Sequence, residues 1–320
     1  MKTFKRILSA SSVLLVIAAL PILLWQRQNI YDWWRLYNYD PPSHIEEIAE
    51  NSKFNEYGKK LFFVHKPELN DRNSFNQNCP SQEQTIVLGC YISHQSIYIF
   101  DVTDERLKGI KEVTAAHEML HAAYDRLSTK ERQRIDSLTN EAYTNLNDQQ
   151  LSKTIELYKS KDASVVPNEL HSILGTEVRE LPEELSTYYQ RYFTDRMSVV
   201  ELSENYEQVF VSQQNEIRTL ADQITSLESE LASRKTTIEN LETELNAKHN
   251  NLNYLKNSGD IEKYNAGVPE YNSLVYRIRA LVNSYNSDVI RLNELIEKHN
   301  QLAVEQKRLN NQIDSHATEQ

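Results

Sequence analysis

The sequence predicts a mainly α (α+β) protein built from an N-terminal transmembrane helix, a helical domain with a small β-hairpin, and a C-terminal antiparallel coiled-coil hairpin. Three observations carry this expectation. Only 6 of the 320 residues are Gly, which points to long helices rather than many turns. An apolar run opens the chain, and a sustained heptad seam occupies its last third. The expected divisions are 1–40 for the anchor and juxtamembrane segment, 41–200 for the central domain and 201–320 for the hairpin.

The anchor comes first. Lys2, Lys5 and Arg6 precede an apolar run from Ile7 to Trp25, with Pro21 as its only breaker. About 19 residues at 1.5 Å each come close to the ~30 Å hydrocarbon core of a bilayer. Basic residues ahead of the span place the N-terminus in the cytoplasm and everything after Gln26 outside. A cleaved signal peptide has a similar front end, but Leu23-Leu24-Trp25-Gln26-Arg27 lacks the small residues of a cleavage site. Trp25, Tyr31, Trp33 and Trp34 resemble an interfacial aromatic belt. The net charge of −11 argues against a nucleic-acid surface, which needs a basic face.

Cys79 and Cys90 are the two cysteines, and both fall in the part expected outside. A disulfide between them is expected in that compartment, and the alternative is two free thiols. Neither has the spacing to join a metal site.

After Asp40-Pro41-Pro42, short helices are expected from Ser43 to Glu50 and from Asn55 to Phe63, followed by extended Val64 to Pro67 and a polar loop from Asn70 to Gln84. Two strand-like runs, Thr85 to Tyr91 and Ser96 to Val102, form a hairpin just ahead of a helix expected from Asp104 to Leu127. Ser128-Thr129-Lys130-Glu131 is a capping box for the next helix. Further helices are expected over Asp148 to Lys159, from Pro167 and from Pro182.

The helix from Asp104 carries His117-Glu118-Met119-Leu120-His121. Residues four apart share a helix face, so His117 and His121 can offer two imidazoles to one metal. Glu118 sits about 100° round the same turn, where a carboxylate can take a proton from an attacking water. A chance HExxH in a chain with nine His has a likelihood of roughly 0.02, which favours chemistry over coincidence. Val113, Ala116, Leu120, Ala123 and Leu127 form an apolar stripe that buries the helix. The alternative is a core helix whose histidines are satisfied by hydrogen bonds.

Two histidines need a third protein ligand. Tyr124 stands where the metzincin pattern requires Gly, which excludes that class. The stretch Asn168 to Glu177 offers Glu169 and Glu177. HExxH followed some tens of residues later by a helix-borne Glu resembles the gluzincin group of zinc metallopeptidases, over roughly Thr85 to Glu177. That resemblance implies a zincin-like metallopeptidase domain with Zn²⁺ held by His117, His121 and Glu169, and Glu118 as the catalytic base. Ile173 stands where the thermolysin-like form has Asp, so Glu177 stays open as an alternative ligand. The whole chain also resembles membrane-anchored HExxH proteins of small-genome bacteria with a coiled-coil tail.

Asp125, one turn beyond His121, is a candidate to orient an imidazole, or else a surface partner for a nearby cation. His171, Tyr188, Tyr189 and Tyr192 are candidates to stabilise an oxyanion, with packing as the alternative.

From Phe210, apolar residues at alternating spacing run to Leu255, with polar Gln213, Arg234 and Lys248 in the seam. A second series runs from Leu274 to Ile313, and breaks are expected at Asn257 to Asp260 and at Gly267-Val268-Pro269. Equal arms, each roughly 70 Å long, favour an antiparallel hairpin over a parallel intermolecular coil. The expected function is therefore an anchored, extracytoplasmic zinc peptidase with a protein or peptide substrate, the membrane as one partner and a protein bound by the coiled coil as another. The competing expectation is a surface coiled-coil interaction protein whose HExxH domain is structural or inactive.

Overall fold

The computed structural model describes residues 26–79 and 87–316. The anchor expected over Ile7 to Trp25 lies outside them, as does the start of the first expected strand. No described helix is long and apolar enough to cross a membrane. The chain divides into two compact units, one of residues up to Gln208 together with those from Asn311, the other of Val209–Asn310.

The first unit is helical around a three-stranded sheet. It opens with α1 over 26–36, then α2 (Ser43–Asn51) and α3 (Glu56–Val64). Asn55 starts α3 by accepting hydrogen bonds from the Tyr57 and Gly58 amides, which satisfies two of the orphan donors of a helix start. Strand β1 (Glu68–Asn70) and helix α4 (Arg72–Asn78) occupy ground expected to be extended chain and loop. Asp71 makes the difference, because its carboxylate accepts from the Ser74 amide and nucleates α4 in a polar sequence.

Strands β2 (Gly89–Tyr91) and β3 (Ile97–Phe100) form the expected hairpin, and β1 pairs with β3 in parallel, giving the order β1-β3-β2. A disulfide joins Cys79, just after α4, to Cys90 in β2.

The single helix expected from Asp104 is interrupted. Asp104 caps only a 3₁₀ turn (Glu105–Leu107), and Gly109 adopts φ +100°, a left-handed conformation that few other residues tolerate. Helix α5 (Ile110–Asp125) then runs through the core, with Ala115, Ala116, Met119, Leu120 and Ala122 fully buried. Its small side chains admit neighbours from both sides. These are β2 and β3, and helix α8 (Val166–Thr176), which has Pro in its first turn.

Between them lie α6 (Thr129–Leu146), capped by Ser128, and α7 (Gln149–Lys161), capped by Asp148. Helix α9 (Glu183–Tyr189) closes the core, and α10 (Arg196–Ser258) starts within this unit.

The second unit pairs α10 with α11 (Ile261–Ile313). Ion pairs join Glu216 to Lys298, Arg234 to Asp288 and Lys248 to Glu270, so numbers rise along one helix as they fall along the other. The helices are antiparallel within one chain. Leu220, Leu227, Leu231, Leu241, Leu252 and Leu274 are buried along the seam, and the polar seam positions Arg234 and Lys248 carry two of the cross-helix ion pairs. Gly259, at φ +79°, makes the one break. The second break expected at Gly267-Val268-Pro269 does not occur, and α11 continues through Pro269. Leu252 packs directly onto Gly267 there, and this cross-helix contact holds the helix where local sequence would end it.

Candidate metal centre

The centre is built from two helices. On α5, His117 and His121 sit one turn apart, their rings edge to face with centroids 4.7 Å apart. From the first turn of α8, Glu169 reaches across to both. One carboxylate oxygen lies 3.5 Å from His117 Nε2 and the other 3.7 Å from His121 Nε2. Among the described residues, His117, His121 and Glu169 offer ligand atoms that all lie within 4.8 Å of one another, a group that could hold a metal ion. Glu177, the other carboxylate considered from sequence, lines the same cleft from the end of α8 but is not in that group.

The ring of His121 is held from behind. Its Nδ1–H donates to Asn168 Oδ1 at 3.0 Å, with Ser172 Oγ 3.2 Å away. A proton on Nδ1 leaves the Nε2 lone pair free, facing Glu169. The side chain of Tyr158, from α7, hydrogen-bonds Glu169.

Charge follows from these neighbours. Burial opposes a charge on His117, but the Glu169 carboxylate beside it wins and holds its pKa above the ordinary imidazole value. Burial likewise opposes the Glu169 charge, and its hydrogen bond with His117 outweighs it and brings the pKa below the usual carboxylate range. Burial dominates at Glu177, whose carboxyl is pushed up to about 7.

Glu118 is buried, only 6% exposed, and lines the same cleft of about 630 Å³. Its neighbour is the edge strand β2. A Cβ placed on Gly89 would lie 2.8 Å from Glu118 Oε1 and 2.5 Å from Thr114 Cγ2, so only Gly lets the strand backbone come this close. The cleft thus has the His–His–Glu group and Glu118 in its floor and the backbone of residues 87–91 along one wall.

No protein-family profile, curated protein or solved structure matches this chain.

The other candidate residues take other partners. Asp125 does not orient a histidine; it lies at the end of α5 and accepts a 2.9 Å hydrogen bond from Ser93 in the β2–β3 turn. His171 is buried behind α8 rather than in the cleft, with its Nε2 2.8 Å from Tyr188 Oη and its charge suppressed by burial, which takes its pKa down to about 3. Tyr189 donates to the His171 carbonyl and Tyr188 bonds Tyr192, so all three tyrosines are core residues whose hydroxyls find partners within the core.

The residues that sequence reasoning passed over are Asn168, Ser172, Tyr158 and Gly89. A signal existed for two of them, because Asn168 and Ser172 stand four apart on α8, flanking the same face as Glu169.

Proposed function

We propose that this protein is a membrane-anchored, extracytoplasmic zinc metallopeptidase that hydrolyses peptide bonds. One observation carries the reading: two imidazoles and a carboxylate converge beside a second carboxylate, Glu118, that is buried in the same cleft and outside the ligand group. The donor set fits zinc. Tetrahedral bonds of about 2.0–2.1 Å place ligand atoms about 3.4 Å apart, close to the 3.5 and 3.7 Å separations between the carboxylate and the two rings. Two nitrogens and one oxygen also leave the fourth position open for chemistry.

A zinc ion bound there would act as a Lewis acid on the attacking water and on the peptide carbonyl. Glu118 takes the proton of that water and delivers it to the leaving amine. Asn168 keeps His121 in the ligating tautomer, and Tyr158 steadies Glu169. Strand β2 ends the sheet among the described residues and lies against Glu118, so its backbone offers groups along which an extended peptide can align. Placement outside the cytoplasm is supported by the Cys79–Cys90 disulfide and by the basic residues ahead of the apolar run.

The test is zinc per chain by elemental analysis, with hydrolysis of a mixed peptide pool by the full chain and by Glu118→Gln. Bound zinc with turnover lost only in the variant supports the assignment. No zinc after refilling, or turnover retained without Glu118, overturns it and favours the competing interaction-protein reading, in which the hairpin of α10 and α11 is the functional part.

A further inference from the structure

Helix α1 is inside out. A surface helix ordinarily turns apolar residues to the core and polar ones to water. Here the polar face is buried. Asp32, 2% exposed, accepts from Arg126 at 2.9 Å, from Gln28 at 3.0 Å, and pairs with Lys60 at 3.0 Å. Arg35 donates to the Val64 carbonyl at 2.9 Å, and Tyr31 to the His94 carbonyl at 2.7 Å.

The opposite face carries Ile30, Trp33, Trp34 and Tyr37, at i, i+3, i+4 and i+7, and they are 45%, 64%, 64% and 61% exposed. Trp33 and Tyr37 lie ring to ring along the stripe, with centroids 5.2 Å apart. Exposed Arg27 stands one turn before Ile30 at its edge.

From this we infer that α1 lies flat in the membrane–water interface, with the Ile30–Trp33–Trp34–Tyr37 stripe in the headgroup region, and docks the peptidase unit on the bilayer. The inference rests on the anchored reading proposed above and specifies how the domain sits. Three observations choose a bilayer as the occupant. The stripe is mainly Trp and Tyr, whose amphipathic rings favour the headgroup level. Residues 7–25, mainly apolar and free of charged side chains, lead directly into α1. Arg27 offers a positive charge to anionic lipid beside the stripe.

The helix is also fixed to catalytic elements. Arg126 follows the last turn of α5, and the His94 carbonyl belongs to the turn after Tyr91, a residue that lines the cleft. Docking α1 therefore sets the height of the Tyr91 end of the cleft above the lipid, and the substrates within reach are segments of proteins near the membrane surface.

The experiment uses the full chain with Trp25→Phe, which leaves Trp33 and Trp34 as the emitting indoles, since the chain has three Trp. It is inserted into vesicles of phosphatidylcholine and phosphatidylglycerol whose acyl chains carry bromine near the headgroup or near the chain end, and acrylamide is added from the aqueous side. An interfacial helix buries its apolar face roughly 5–10 Å into the headgroup boundary, so shallow bromine should quench strongly, deep bromine weakly, and acrylamide little. Full quenching by acrylamide with none by bromine would put the stripe in water and overturn the inference. Protection from all three quenchers would mean a protein cover such as a second copy, and would overturn it too, as would failure of the chain to sediment with vesicles. Zinc content is read on the same sample. A stripe in water on a zinc-loaded chain would thus sink the docking inference and leave the peptidase reading standing.

Discussion

Asn168 accepts a hydrogen bond from Nδ1 of His121 while the next residue, Glu169, faces Nε2 of the same ring. One turn of α8 thus supplies both the ligand and the group that orients its partner. Losing that orientation weakens a metal site without removing a donor. Asn168→Ala is expected to lower zinc affinity about 10–100-fold while leaving one zinc per chain at saturation. Competition titration with a chelator measures this, and unchanged affinity would exclude the orienting role.

The two acidic residues of α8 separate cleanly. Glu169→Ala should abolish stoichiometric zinc, because a two-imidazole site lacks its third donor. Glu177→Ala should keep it. Elemental analysis of the two variants side by side decides, and the reverse pattern would reassign the ligand.

Glu118 is expected to matter for turnover and not for binding. Glu118→Gln preserves shape and loses the proton acceptor, so zinc content should hold while kcat falls roughly 10²–10⁴-fold.

Gly89 is the close approach between β2 and Glu118, the proposed acid–base residue. A methyl group there meets Thr114 Cγ2 at 2.5 Å and the Glu118 side chain at 2.8 Å, both on the packed core helix. Gly89→Ala should cost about 1–3 kcal/mol of stability and displace Glu118 or β2. Denaturant unfolding and peptidase rate should fall together, and a stable, fully active variant would show that the strand yields freely.

Acid should weaken the fold through His65. Burial, with Arg126 and Arg35 nearby, pushes its pKa down from 6.5 to about 3, and neither ring nitrogen has a hydrogen-bond partner among the described residues. The unfolded chain then binds the proton that the folded chain refuses. Stability is fully present above pH 6.5 and is lost as pH falls from there toward the folded value. Between pH 7.5 and 5.5 this histidine alone should cost about 1.4 kcal/mol. His65→Phe should flatten the acid limb by that amount in urea titrations, and an unchanged limb would clear His65 of the effect.

Local signals explain what the sequence made legible. His117, Glu118 and His121 share a face because helix geometry is fixed over four residues, and α3, α6 and α7 begin at Asn55, Ser128 and Asp148 because capping chemistry is written in those side chains, while Pro167 marks the first turn of α8. Glu169 required more than spacing, since the approach of α8 to α5 depends on packing between residues some fifty positions apart. The misses are of the same kind. Parallel pairing of Glu68–Asn70 with β3 leaves no turn signature. Asp125 finds Ser93 and not a histidine only once the hairpin turn is in place. Pro269 stays helical because of a neighbour across the seam, and a rule about single helices does not see that neighbour.

Asp32, between Arg126 and Lys60, makes a stretch ahead of the domain part of its core. The consequence concerns shedding. A protease that clips the chain between Asn38 and Pro42 removes the carboxylate from two cations and Arg35 from the Val64 carbonyl. Removing one partner of a buried ion pair costs about 3–5 kcal/mol, which is much of the whole margin of a typical domain. A clip ahead of Gln28 leaves the cluster whole. For the anchored peptidase proposed above, the position of a single nick would therefore decide between a released, intact domain and a fragment destined for degradation.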